Sequence, residues 1–195
     1  MKRIQITMQH SEDTIRRLAK VQYNTFSAFG KIFWYAVCIL CIATGVGLIG
    51  SFNDTVNLLL VAFGAIVIVN IGASGKLRAD KTIAAVKASG SKYPRTTLAF
   101  ESSGIQVTEH TDKSANTTLT YSSIIRLTED DAYWYLFINK VAAYMLPKDS
   151  IQSPDEREKF VAMLEKKTGL TMSEPFNLMQ LRLKLFRPKG KKKRG

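Results

Sequence analysis

The sequence predicts an α+β membrane protein: a two-helix transmembrane hairpin with a cytoplasmic antiparallel sheet of five to six strands, which an N-terminal strand can join, capped by a C-terminal helix. Three observations carry this. Residues 32–52 and 56–75 are two runs without a charged residue, each close to the ~20 residues a helix needs to cross a hydrocarbon core of about 30 Å. Between 96 and 147, short segments alternate apolar and polar residues between turn clusters, the period of half-buried strands. Residues 153–169 carry helix start and stop signals at both ends.

Each apolar run should be one helix, because only a helix satisfies its own backbone in lipid. A core helix of a soluble protein is usually shorter and keeps a polar stripe. Here Thr44, Asn57 and Asn70 are the main polar interruptions, and Phe33, Trp34 and Tyr35 sit beside Lys31 like an interfacial aromatic belt. The first run starts too late and is too long for a cleaved signal peptide. Lys2, Arg3, Arg16, Arg17, Lys20 and Lys31 precede it, and Lys76, Arg78, Lys81 and Lys87 follow the second. The turn Asn53-Asp54-Thr55 carries one acid and no base, so both chain ends are expected in the cytoplasm and the turn outside. Its glycosylation sequon, and the one at Asn116-Thr117-Thr118, read as chance matches. Small residues (Ala43, Gly45, Gly47 and Gly50; Gly64, Ala65, Gly72 and Ala73) should let the two helices approach closely. Asn70 reads as a helix-to-helix hydrogen bond rather than a transport site. No ionisable residue occurs in either run, which argues against an ion pathway within the hairpin itself.

In chain order, residues 3–8 alternate as a strand. Ser11 caps a helix whose first turn carries Glu12 and Asp13, favoured by the helix dipole. Its apolar face is Ile15, Leu18, Gln22, Phe26 and Phe29, and it leads through Gly30 into the first run, as a stalk or as an interface-lying helix. The second helix pattern continues past Gly75 until Gly90 and Pro94. Strands are expected at 96–101, 105–108, 117–121, 124–127, 133–138 and 142–147, the last two a hairpin across Asn139-Lys140, with 133–138 buried on both faces. Glu129-Asp130-Asp131 reads as a solvated hairpin tip rather than a cation site or catalytic pair. Ser153-Pro154-Asp155-Glu156 offers an N-cap, a first-turn proline and a capping-box glutamate; Phe160, Val161 and Leu164 form the buried face, and Gly169 the stop. The expected division is 1–31, 32–75, 76–94, 95–170 and a tail, 171–195.

The tail concentrates charge. The 195-residue chain has a net charge of +12. Arg182, Lys184, Arg187, Lys189, Lys191, Lys192, Lys193 and Arg194 supply eight bases after Pro175 with no acid, leaving 12 − 8 = +4 elsewhere. Phe176, Met179, Leu183 and Phe186 recur at helical spacing behind Ser173-Glu174-Pro175, although 181–185 also alternates like a strand; 189–195 reads as disordered. A basic amphipathic helix beside a membrane anchor points to anionic lipid headgroups, with those eight bases as the candidate contacts. Nucleic acid is the competing partner for such a run, but no base-reading or aromatic-interleaved module accompanies it. Cys38 and Cys41 read as small apolar fillers, and His10 and His110 have no ligand spacing around them, so neither a metal nor another cofactor is expected.

The order of these elements resembles that of the YcxB-like bacterial membrane proteins. The resemblance is carried by residues 98–105 (Leu-Ala-Phe-Glu-Ser-Ser-Gly-Ile), 121–125 (Tyr-Ser-Ser-Ile-Ile), Thr128-Glu129 with 133–138, and Met145-Leu-Pro-Lys148. It implies a bacterial cell-membrane location and a cytoplasmic domain like a reduced pleckstrin-homology fold. It implies no reaction and no catalytic residue.

The function expected from all this is a non-enzymatic membrane-anchored cytoplasmic module: an adaptor, regulator, or accessory or immunity-type subunit. Its partner would be another membrane protein or a second copy of the chain. The alternative is a subunit of an oligomeric transporter or channel. An enzyme is disfavoured, since no nucleophile is paired with a base, no glycine-rich phosphate loop follows a strand, and Ser122 with His110 lacks a third orienting group.

Overall fold

The structure is a computed structural model and describes residues 4–50, 53–110 and 116–175, the side chains of Ala28 and Phe29 excepted. It is α+β, with two long apolar helices and antiparallel sheets. In order the chain forms β1 (Ile4–Gln9), α1 (Glu12–Phe26), α2 (Ala28–Gly47), α3 (Asp54–Ala88), β2 (Arg95–Phe100), β3 (Ile105–Glu109), β4 (Thr117–Leu119), β5 (Arg126–Glu129), β6 (Tyr133–Phe137), β7 (Ala143–Pro147) and α4 (Pro154–Thr168).

The two apolar helices are shifted from the expected runs. α2 starts before Lys31 and ends at Gly47, and α3 already begins at Asp54, inside the expected turn at 53–55. The reason is local. Gly50 takes a left-handed φ of 78° and donates its N–H to Asp54 Oδ1 at 2.9 Å, while Asn53 caps α3 by accepting from Thr55 N. The chain therefore turns where its glycines permit rather than where its apolar run ends. α3 continues without a break for 35 residues, about 52 Å at 1.5 Å per residue. Both helices are long and apolar enough to cross a membrane. They pack through two glycines. A Cβ on Gly45 would lie 2.7 Å from the Asn57 carbonyl oxygen, and one on Gly64 would lie 3.0 Å from the Cys38 carbonyl oxygen. The other expected small contacts are narrower in effect: Gly47, Gly50 and Gly72 meet nothing within 4 Å. Asn70 does not bridge the helices either. It donates to Ile66 O one turn back on α3, whereas Asn57 donates across to Leu48 O at 2.8 Å.

The expected single sheet is two: β1-β2-β3-β4 and β5-β6-β7, all antiparallel. The break falls at a 3-10 turn, Tyr121–Ser123, where alternation alone suggested a strand to residue 121. Buried Tyr121 donates its hydroxyl to Glu101 O at 2.9 Å, pinning the corner where the chain changes sheets. β1 covers the edge of β2, with Ile4 opposite Phe100 and Ile6 opposite Leu98. The main core then gathers Ile6, Phe100, Leu127, Trp134, Leu136, Phe160 and Leu164 from both sheets and α4. β6 is buried on both faces, since Tyr135 and Phe137 point the other way into a second core with Met8, Met145 and Val21 of α1.

α4 begins with Pro154 and ends at Gly169 in the left-handed region (φ 70°), but Ser153 makes no side-chain cap bond, so the expected capping box does not form. It forms instead on α1, between Ser11 and Thr14. Beyond α4 the chain does not start a helix at 173. Ser173 lies parallel against Thr128, donates its N–H to Leu127 O and accepts from Glu129 N, which adds a short pairing to the free edge of β5. The helix expected at 176–187 lies outside the described residues.

Candidate functional site

α1 positions the candidate site because each of its faces has a different neighbour. Leu18, Val21 and Phe26 pack on Tyr135, Phe137 and Met145 of the β6–β7 sheet, and Phe26 meets Phe137 edge-on with ring centroids 5.0 Å apart. Of the expected face, Leu18, Gln22 and Phe26 meet this sheet, Gln22 by donating to Lys140 O at 2.6 Å, while the Phe29 side chain lies outside those described. α1 is not a free stalk: it is clamped between the sheet and α3. On the α3 side, Arg16 pairs with Asp80, Glu12 with Lys87 at 2.6 Å, and Tyr23 donates its hydroxyl to Ile71 O at 3.0 Å while its ring rests over Gly75. The Lys87 ammonium holds the Glu12 carboxyl below the usual carboxylate range.

Along this seam lies a cleft of about 500 Å³ between α1, the start of α2 and the middle of α3. Arg16, Lys20 and Asn24 stand four residues apart on one face of α1, Lys31 enters from α2, and Lys76 from α3. Lys31 Nζ donates to Asn24 Oδ1 at 2.6 Å and lies 3.5 Å from the centroid of the Tyr23 ring. Tyr35 and Ile71 make the opposite end apolar. Among the described residues the one carboxylate ion-paired to these four bases is Asp80, held by Arg16; Lys20 also borders the second cleft and its acids, so Lys31 and Lys76 are the unmatched bases proper to this one.

A second cleft, about 570 Å³, opens between α1 and the β5–β6 turn. Here charges of both signs already satisfy each other. Lys148 pairs with Glu129 at 2.7 Å, and Arg17 lies 3.7 Å from Asp130 and 3.6 Å from Asp131. The acidic triplet is therefore not a solvated tip, as its composition suggested. Glu129 belongs to β5, and Asp130 accepts from Ala132 N, Tyr133 N and the Tyr135 hydroxyl; only Asp131, 83% exposed, fits that expectation. Burial and Asp130 together push the Tyr135 hydroxyl pKa well above its ordinary value.

Of the residues weighed from sequence, Ser122 bonds Thr120 Oγ1 while His110 Nε2 bonds Thr97 Oγ1, so the two are not brought together. Cys38 and Cys41 are free thiols. Among the described residues no three His, Cys, Asp or Glu side chains gather as a metal site. The eight tail bases, Arg182 to Arg194, lie outside the described residues. The basic cleft was missed. In sequence its bases read as topology signals, and the signal that reveals the cleft is the four-residue spacing of Arg16, Lys20 and Asn24 against the same spacing of Gly72 and Lys76 on α3.

Residues 100–164, from the end of β2 into α4, match the family model described as YcxB-like protein. The resemblance read from the strand motifs therefore holds over this third of the chain. Nothing among the curated proteins or the solved structures matches. The matched stretch supplies the floor under α1, and the basic cleft lies wholly outside it.

Proposed function

We propose that this chain is a non-enzymatic, membrane-anchored cytoplasmic binding or regulatory module of a bacterial cell membrane. α2 and the apolar part of α3 form the anchor, both termini are cytoplasmic, and the sheet with α4 engages another membrane protein or a second copy of the chain. The observation that carries this is a contrast between two apolar surfaces. Around β6 the large side chains are buried on both faces, while the outer faces of α2 and α3 leave Leu40 67%, Leu58 64% and Val69 69% exposed. A continuous apolar surface of this kind marks contact with lipid or a partner. The cations at the inner helix ends and the acid at the turn support the orientation. The tail's eight bases would add attraction to anionic headgroups, about 1 kcal/mol for each base near the surface.

The test is purification of the full chain from gently solubilised membranes. The expected result is a stoichiometric second membrane protein or a defined homo-oligomer. A companionless monomer contradicts the reading, and ion flux from the reconstituted chain would replace it with a channel subunit.

A further inference from the structure

We propose that the basic cleft between α1, α2 and α3 binds the phosphate-bearing headgroup of one anionic phospholipid, with an acyl chain descending along Tyr35 and Ile71. This rests on the membrane reading above, and four observations point to it.

The first is charge. Arg16, Lys20, Lys31 and Lys76 converge, and among the described residues neither Lys20, Lys31 nor Lys76 has a carboxylate partner. Like charges held together repel unless an anion joins them, and a phosphate offers several oxygens to several donors at once.

The second is depth. Lys31 stands immediately before the first uncharged run, and Lys76 immediately after the second. The two bases thus mark one level, where the apolar helix surfaces end. Phe33 and Trp34 flank that level, both exposed and packed edge-on with centroids 5.9 Å apart. Aromatic side chains favour the headgroup region.

The third is construction. Lys31 is not left to swing: Asn24 and the Tyr23 ring hold it, and Tyr23 is itself fixed by its bond to Ile71 O. An ammonium held against a ring face and an amide oxygen still has N–H donors to offer a third, anionic neighbour. The neighbouring acidic cleft, where bases are matched by carboxylates, offers no such surplus.

The fourth is shape. The cleft is polar along α1 and apolar toward Tyr35 and Ile71, the same gradient a phospholipid has from headgroup to chain. Gly72 borders open space, since a Cβ there would meet nothing within 4 Å. At about 500 Å³ the space falls within the range of small-ligand sites.

The experiment uses the full chain in mild detergent, titrated with phosphatidylglycerol, phosphatidylcholine or glycerol 3-phosphate, and reads bound ligand by native mass spectrometry. One phosphatidylglycerol should bind before any other lipid, ahead of phosphatidylcholine by about tenfold or more, the ratio that ~1.4 kcal/mol gives. Lys31→Gln with Lys76→Gln should erase that preference. So should Gly72→Phe, which fills the passage without changing charge, and whose melting temperature verifies folding. Changing Lys191, Lys192 and Lys193 to serine should leave the first bound lipid in place and remove only later, weaker ones. Equal retention of both lipids overturns the proposal. Glycerol 3-phosphate binding as tightly as the lipid overturns it in favour of a free-anion site. Loss of preference in the tail variant alone would move the lipid site to the tail. If the chain is not extracted with membranes at all, the membrane reading fails instead, so the two failures are separable.

Discussion

The Asp130 carboxylate takes hydrogen bonds from two backbone amides, Ala132 at 2.9 Å and Tyr133 at 2.8 Å, and from the buried Tyr135 hydroxyl at 2.7 Å. Removing it strands all three donors, and a stranded buried donor costs more than a made bond contributes. Asp130→Ala should therefore lower stability by about 2–4 kcal/mol, and Asp131→Ala by no more than about 0.5. Thermal melts of the two variants in detergent check this, and equal melts would return the triplet to a solvated tip. Gly45 poses a steric case. Its absent Cβ would press on the Asn57 carbonyl, which is backbone and cannot yield as a side chain could. Gly45→Val should cost about 1–3 kcal/mol, while Gly72→Ala, built into open space, should be neutral or stabilising by up to about 1 kcal/mol. If both are silent in the melt, the helices do not pack as described. Neither residue's role was readable from composition. One acid among three and one glycine among several are told apart only by what the fold brings beside them.

At the scale of elements, alternation and caps carried far. β1, β7, α1 and α4 form near their expected positions because their periodic patterns or end signals are clear, and β6 does so as a short, wholly apolar run between turns. Failures occur where pattern gives way to context. Alternation runs through residue 121, yet Tyr121 turns inward because its hydroxyl finds Glu101 O. Ser173-Glu174-Pro175 has the chemistry of a helix start, yet Ser173 completes the β5 edge. The strand with the clearest consequence is β1. It comes from the far side of the hairpin in sequence, but pairs residue for residue with β2 and places Ile6 in the main core and Met8 in the second. Without it β2 would present an open row of backbone donors and acceptors, an invitation to aggregate. Ile6→Ala should cost about 2–4 kcal/mol. Deleting residues 1–9 should leave a chain that inserts but elutes as aggregate on size exclusion. A monodisperse deletion variant with an unchanged melt would show that β1 is dispensable.

The whole molecule ties a matched, family-like sheet to an unmatched hairpin through α1, and this arrangement explains why the site was less legible than the fold. Apolar runs and strands are local signals. The cleft is assembled from three helices, its bases spread from residue 16 to residue 76, and each base alone resembles an ordinary topogenic charge. The same cations make one demand on the entire chain. Six lie before the first span and four soon after the second, while the connecting turn has none. If that bias sets orientation, the connection between α2 and α3 faces outward and everything from β1 to α4 faces the cytoplasm. Thr55 and Val141 are both exposed and fall on opposite sides of the bilayer in this layout, one at the start of α3 and the other at the tip of the β6–β7 hairpin. In a background with Cys38 and Cys41 replaced by alanine, an impermeant thiol reagent should label Thr55→Cys in intact cells. Val141→Cys should label only after permeabilisation. Labelling at 141 from outside would invert the orientation, and would carry Arg16, Lys20, Lys31 and Lys76 to the outer leaflet with it. Labelling of both sites in intact cells would mean that the two helices do not form a spanning hairpin.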